Sequence, residues 1–336
     1  MSTECESHPD ASTASRPGSA PAAGPGGIIS GTVYFDSSLS DDDRRPALFQ
    51  GALFVFSPRT STRALCDHMR VMVEEAFAPR DPRLAHRDLP VGACVEILRC
   101  LKPAFIHHPR TQLLARDVLE DLGCDLDQTF LDLPRMRSAY PADYLTAGIA
   151  YAFHPHRDTW YSAPYCQLNW WLPVYDILPS NCLAFHPRYF SVPVPNDSET
   201  YNYYRWNAES RATAANHIKT DTRKQPRPQA PIEPEPQTRL VCPPGGLILF
   251  SGAQLHETVP NTSGIARYSI DFRTVHLADL RAKRGAPNVD SRCTGTTLRD
   301  YLRAADLTSR LPPDVVALYD DETATDGVLV YTPPGE

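Results

Sequence analysis

Beyond Phe130 the chain breaks into short apolar runs separated by pieces rich in proline, glycine and aspartate. "FLDLPRMRSAY", "LTAGIAYAFHPH", "CQLNWWLPVYD", "GGLILFSG" and "ARYSIDFRTVH" are punctuated at strand-like intervals, and the last alternates polar and apolar residues from Ala266 to Arg273. Strands this short, and this many, bury their apolar sides only against a second sheet or by closing on themselves. The pattern predicts a β-sandwich or barrel with helices packed outside.

The helices are expected upstream. "TSTRALCDHMRVMVEEAF" places Leu65, Met69, Met72 and Ala76 at helical spacing, and Pro79 stops the run soon after Phe77. A second helix spans about Thr111 to Leu122 and ends at Gly123, a residue suited to a helix C-terminus. Ahead of both, "DDDRR" at Asp41 to Arg45 reads as a solvated turn, and Ala47 to Ser57 reads as a strand entry. Residues 1–27 are mostly Ser, Ala, Pro and Gly, with too little apolar surface to offset ordering, and read as a disordered tail. The rest, 28–336, reads as a single domain. It comprises a helical part (about 57–123), a β core (about 128–280), an insert (about 191–240) and an extension (281–336) with an expected helix from Thr297 to Ala305.

Proline and charge exclude a central strand from Ser191 to Arg239. Its front half, with Tyr201, Tyr203, Tyr204, Arg205 and Trp206, carries too many aromatics for a purely solvated loop. It is read as a lid over a substrate, with packing on the core or a dimer contact as alternatives. The half "RKQPRPQAPIEPEPQ" is read as mobile.

A net charge of -7 disfavours a nucleic-acid partner bound through bulk positive potential. No run approaches the ~20 apolar residues of a membrane span, and the N-terminus has no secretory pattern. The nine cysteines include no CxxC pair, so neither a zinc knuckle nor a disulfide framework is indicated. These features fit a cytoplasmic protein acting on a small molecule, with the oligomeric state left open.

Chemistry concentrates in two segments. In "YAFHPHRDTW", read as the end of a buried strand, His156 and Asp158 stand two residues apart and so share a strand face. In "PPGGLILFSGAQLHETVPNTSGIARYSIDFR", a turn and a strand lead to His256, and Arg267 opens a further strand eleven residues later. Two histidines and one carboxylate cap one face of an octahedral ion and leave the other face open. An arginine entering a barrel needs an anion, and its planar fork matches a carboxylate. Ser269, Asp271 and Arg273 share its strand face. Asp271 and Arg273 can pair with each other.

HxD at His156/Asp158, a distal His256 and Arg267 in an RxS context resemble the Fe(II)- and 2-oxoglutarate-dependent oxygenases. The eleven-residue step is similar to the phytanoyl-CoA-dioxygenase-like branch. The likeness covers about Val95 to His276, with its information in the two motif segments. It implies a mainly β fold with flanking helices, built on a double-stranded β-helix (jelly-roll, cupin-like) core. It implies Fe(II) on His156, Asp158 and His256, 2-oxoglutarate on Arg267 and Ser269, O2 as oxidant, and hydroxylation of an unactivated C–H bond. The 98 residues between Asp158 and His256 are long for the family and place the insert between the motifs. Halogenases of this kind replace the metal carboxylate by a small residue; Asp158 fills that place here.

Further candidates are less determined. Gln167 and Asn169 alternate on a strand and either reach the cosubstrate or the metal ligands, or are satisfied interior amides. Arg135 and Arg137 alternate on another strand and either meet an anionic substrate or lie on an exposed edge. Arg137, Tyr204, Trp206 and Arg273 are the substrate-contact candidates. His154 fits the ligand motif less well than His156, and His107 and His108 read as surface or capping residues. Alternative classes are a metal-binding jelly-roll without oxygenase activity and a cupin-type zinc or manganese enzyme.

Overall fold

The computed structural model describes residues 31–150 and 154–320. The expected N-terminal tail lies outside the described residues. Among the described residues eleven strands follow one another: β1 (Val33–Phe35), β2 (Leu53–Phe56), β3 (Thr129–Leu131), β4 (Arg135–Ala139), β5 (Leu168–Pro173), β6 (Leu183–Phe185), β7 (Thr238–Leu240), β8 (Leu247–Ser251), β9 (His256–Thr258), β10 (Arg267–His276) and β11 (Leu302–Arg303). The large sheet runs β1-β2-β8-β5-β10-β3-β11, and β4 joins it by pairing with β10. The small sheet runs β7-β6-β9.

Period-two alternation sorts the large sheet into two faces. Phe54, Phe56, Leu168, Trp170, Leu172, Leu247, Leu249, Tyr268, Ile270 and Phe272 point outward into a core shared with the helices. Leu53, Val55, Trp171, Ile248 and Phe250 point the other way and pack against Leu183, Phe185 and Leu240 of the small sheet. The result is a layer of helices, a large sheet and a small sheet, with a second apolar core between the sheets.

Helices α1 (Asp41–Phe49), α2 (Thr60–Phe77), α3 (Val91–Ile106) and α4 (Pro109–Asp121) precede most of the strands. The buried residues of α2 are Thr62, Leu65, Cys66, His68, Met69, Val73 and Phe77. Leu65 and Met69 were expected there; Ala76 is exposed instead, because the stripe follows a four-residue step to Phe77. Helix α4 begins where His108 Nδ1 accepts the Arg110 amide at 3.1 Å, so His108 is a cap. Beyond it the chain turns at Gly123, whose φ of +74° favours glycine.

Four expectations need correction. Asp41 to Arg45 is the first half of α1, not a solvated turn. Ser40 caps it, and three aspartates in its first turn suit the positive end of the helix dipole. Arg45 is buried and its Nε donates to Asp279 at 2.7 Å, so these charges are structural. The expected strand entry at Ala47 is therefore the end of a helix, and the strand proper begins at Leu53. Thr297 to Ala305 forms a 3₁₀ turn (Leu298–Asp300) and then β11 rather than a helix, because Leu302 and Arg303 pair with β3. The chain before His156 was expected to be a buried strand; Gly148–Ala150 is a 3₁₀ turn, and residues 151–153 lie outside the described residues.

Among the described residues no helix is long and apolar enough to cross a membrane. The described cysteines are all free.

Candidate metal centre

The two histidines come from distant segments held together by their backbones. His156 N donates to His256 O at 3.0 Å and His256 N to His156 O at 2.9 Å, forming an isolated antiparallel bridge. On its other side β9 pairs with β6, His256 opposite Phe185. Asp158 is not on a strand: it opens a 3₁₀ turn (Asp158–Tyr161), its amide donating to Gly252 O at 2.9 Å. Convergence on His156 therefore comes from this turn rather than from strand alternation. Gly252 permits it by close approach. A Cβ there would stand 3.2 Å from Gln167 Nε2 and 3.4 Å from Asp158 Cβ.

The side chains then converge. Asp158 Oδ1 lies 3.6 Å from His156 Nε2 and 3.9 Å from His256 Nε2. Ligand atoms of all three residues fall within 4.8 Å of one another, and all three residues are buried. His156 Nδ1 contacts His154 O at 2.8 Å and His256 Nδ1 contacts Gln254 O at 3.0 Å. A carbonyl only accepts, so each Nδ1 carries the hydrogen and each Nε2 turns its lone pair toward the cluster. Burial, then the neighbouring His156, push the His256 imidazole down to about 3, so it is neutral and able to bind metal.

The carboxylate is divided between two tasks. Asp158 Oδ2 accepts Gln167 Nε2 and Asn169 Nδ2, each at 2.9 Å, and Arg273 Nε stands 3.4 Å away. Burial alone raises a carboxyl, but Arg273 and the two histidines outweigh it and hold Asp158 well below the usual range. Tyr301 OH donates to Gln167 Oε1 at 2.8 Å, fixing which end of the amide faces Asp158. Gln167 and Asn169 thus contact a candidate metal ligand. His154 takes another path, its Nε2 meeting Pro226 O at 2.8 Å.

The cluster opens on a cavity of about 710 Å³, lined in part by Arg267, Asp271 and Arg273 of β10. Arg267 lines it, only 5% exposed. Its Nη1 donates to the carbonyls of Asn181 and Cys182 at 2.9 and 3.2 Å, and its guanidinium lies 5.4 Å from the Trp171 ring centroid. Its Nε has no hydrogen-bond partner, and among the described residues no carboxylate forms an ion pair with it. Burial pushes this guanidinium down to about 10. A buried cation without a counter-ion is costly, and the cost is offset when an anion binds. Ser269 lies on the same strand face and is fully buried with a partnerless hydroxyl, but it does not line the cavity.

The other candidates divide. Arg137 lines the cavity and grips Asp271 with both arms, at 2.5 and 3.1 Å. Arg273 reaches Asp271 at 3.2 Å as well as Asp158, so the two do pair. Burial alone raises a carboxyl, but Arg137 and Arg273 hold Asp271 down at about 2. Trp206, Tyr201 and Tyr203 of the insert line the cavity. Tyr204 does not; its OH donates to Asp320 at 2.9 Å and its ring sits under Arg299. The reason is helical: Tyr203 to Arg205 form a turn, and successive residues diverge by about 100°. Sequence reasoning also missed Tyr301, which lies in the extension and has no motif around it.

No protein-family model matches the sequence, and no curated protein matches it. Solved structures similar to this chain include EvdO2 from Micromonospora carbonacea var. aurantiaca, at 13% identity and a TM-score of 0.40, over 72% of this chain and 93% of that one. The same protein complexed with 2-oxoglutarate matches at 16% identity and a TM-score of 0.32, over 52% of this chain and 62% of that one. SnoN, a non-haem α-ketoglutarate-dependent epimerase of nogalamycin biosynthesis, matches at 13% identity and a TM-score of 0.35, over 70% of this chain and 84% of that one. Likenesses this distant leave the assignment to the site itself.

Proposed function

We propose that this chain is an Fe(II)- and 2-oxoglutarate-dependent oxygenase that hydroxylates a C–H bond of a small molecule, as in specialised-metabolite tailoring. One observation carries the reading: a His156–Asp158–His256 cluster lines the same cavity as a buried arginine that has no counter-ion among the described residues. A metal-storage or sensor module has no use for the second feature. The two opposed sheets support a double-stranded β-helix core with the metal at its open end. The narrower likeness to the phytanoyl-CoA-dioxygenase-like branch rests on the eleven-residue step alone.

The residues present fit both groups. His156 Nε2, His256 Nε2 and Asp158 Oδ1 would hold the metal, with Gln167, Asn169 and Arg273 keeping Oδ2 turned away. Arg267 would hold the distal carboxylate of 2-oxoglutarate. Ser269 assists only if the cosubstrate reaches behind the lining seen here. When bound, iron and 2-oxoglutarate supply the oxidation: O2, the keto acid and a C–H bond are converted to succinate, CO2 and a C–OH bond. The protein binds, orients and excludes water. The aromatic part of the insert, through Tyr201 and Trp206, would cover the substrate as a lid.

The test is oxygen-dependent formation of succinate from 2-oxoglutarate by the Fe(II)-loaded protein. Slow turnover without substrate, lost in Asp158→Ala, is expected. Tight Fe(II) binding with no succinate from any of a broad panel of small molecules would favour a non-oxygenase metal protein.

A further inference from the structure

Beside the metal cluster the same cavity carries an excess of cations. Lys102 on α3, Arg135 and Arg137 on β4, Arg273 on β10 and Arg211 in the 3₁₀ turn Arg211–Asn216 all line it. Facing these five cations are three carboxylates besides the metal ligand, Asp132, Asp271 and Asp300. The carboxylates are already shared. Asp132 pairs with Arg135 and Arg273, and Asp271 with Arg137 and Arg273. Asp300 accepts the Tyr203 hydroxyl. Arg99 and Arg223 also line the cavity but have their own partners in Glu96 and Asp221.

Two of the five cations have no carboxylate within ion-pair distance among the described residues. Lys102 Nζ donates only to the Ile149 carbonyl. Arg211 reaches only Asn207 Oδ1, at 3.4 Å. Both are half-buried and close enough to their neighbours to feel them. Burial, then Arg137, push the Lys102 ammonium down to about 7; burial, then Arg135, lower the Arg211 guanidinium. Lys102 ties α3 to the Gly148–Ala150 turn through a carbonyl, which needs a donor but not a charge, and among the described residues neither cation links two elements by an ion pair. This repulsion is the electrostatics of a site that lacks its anion.

We propose that the substrate carries an anionic group, a carboxylate or a phosphate, that binds between Lys102 and Arg211 on the floor formed by Arg135 and Arg137. This rests on the oxygenase reading for what happens to the substrate, but not for the anion site. The placement is fixed by a chain of contacts. Arg137 holds Asp271, Asp271 holds Arg273, and Arg273 stands against Asp158. The anion would therefore sit along the β4/β10 wall, and the oxidised carbon between it and the metal. Tyr161, Tyr201 and Trp206 line the remaining space and suit an apolar or ring-bearing body. Arg267 is a separate anion site, so substrate and cosubstrate do not compete for one arginine.

The experiment uses the whole 336-residue chain, metal-free and at low ionic strength, with inorganic phosphate and butyrate as probes and calorimetry as the readout. Saturable binding of at least one probe, at about 1 mM or tighter, is expected, weakening as salt is added. It should survive Arg267→Ala and fall about tenfold or more in Arg211→Ala and in Lys102→Met. Arg211→Lys should retain more binding than Arg211→Ala, which separates loss of charge from loss of fold. Phosphate alone, or butyrate alone, would identify which anion the substrate bears. No saturable binding of either probe, or binding lost only in Arg267→Ala, would overturn the proposal. Anaerobic 2-oxoglutarate binding to the Fe(II)-loaded protein is measured on the same variants. Its absence in the unaltered chain would defeat the oxygenase reading while leaving the anion site standing or falling on its own result.

Discussion

Asp158 presents its two oxygens to two different sets of partners, and Gln167 holds that division in place: Gln167 Nε2 donates to Asp158 Oδ2 at 2.9 Å while Oδ1 faces both histidines. The Tyr301 hydroxyl fixes the amide from behind. The carboxylate is thereby set to offer one oxygen to a metal.

Gln167→Leu removes that donor without changing the side chain's bulk greatly. Loss of such an outer contact typically costs about 10- to 100-fold in metal affinity. Equilibrium dialysis should show Fe(II) binding weakened in that range, with 2-oxoglutarate affinity at saturating metal little changed. Unchanged metal affinity would mean that Asp158 is held by Asn169 and Arg273 alone.

Arg267 Nε lacks a partner and, among the described residues, the guanidinium lacks a counter-ion, so the residue is costly to the empty protein and, on the proposed reading, useful to the loaded one. Arg267→Met should leave the melting temperature of the empty protein within the span of about 1 kcal/mol. The same change should weaken 2-oxoglutarate binding about a hundredfold, the order of a lost charge-assisted pair. Strong destabilisation of the empty protein would show that the arginine is structural instead.

The Arg45–Asp279 pair joins α1 to the segment after β10. Both side chains are buried, so removing one partner strands the other's charge. Arg45→Met should destabilise the fold by about 3 kcal/mol in denaturant titration, eased by Arg284, which also reaches Asp279 at 2.9 Å. Metal affinity should not move, since neither residue approaches the metal cluster.

His68 is buried between α2 and α4, its Nε2 3.1 Å from Thr111 Oγ1, and burial followed by the charge of His108 pushes it down to about 4. Its folded pKa lies below the unfolded value, so the unfolded chain binds the proton more readily. The stability it contributes is complete above about pH 6.5 and is lost as pH falls toward 4. Partial screening at the helix surface limits this to on the order of 1–2 kcal/mol. His68→Gln should flatten the slope of stability against pH in that window; an unchanged slope would exonerate His68.

Much of the site could be read in the sequence because its elements are local. Arg267, Asp271 and Arg273 follow the two-residue period of β10, which survives folding unchanged. His156 and Asp158 were legible as a pair, but their convergence comes from a 3₁₀ turn anchored to the carbonyl of Gly252, a residue 94 positions beyond Asp158. Tyr204 was misplaced because an aromatic cluster does not announce which of its members a helical turn will rotate away. Lys102 and Arg211 were invisible as cavity-lining residues, since a cation on a helix or turn looks solvated until the fold shows what it faces. Arg44 and Arg45 failed in the opposite sense. Their acidic neighbours made a charged run look exposed, yet that neutralisation is what allows burial.

The most direct measurement is an anaerobic titration of the metal-free protein with Fe(II) and then 2-oxoglutarate, followed by visible absorbance. A weak charge-transfer band that requires both additions, and that disappears in His256→Ala and Asp158→Ala, is the predicted result. Tight Fe(II) binding with no band on adding 2-oxoglutarate would contradict the account, as would a band that survives loss of either ligand.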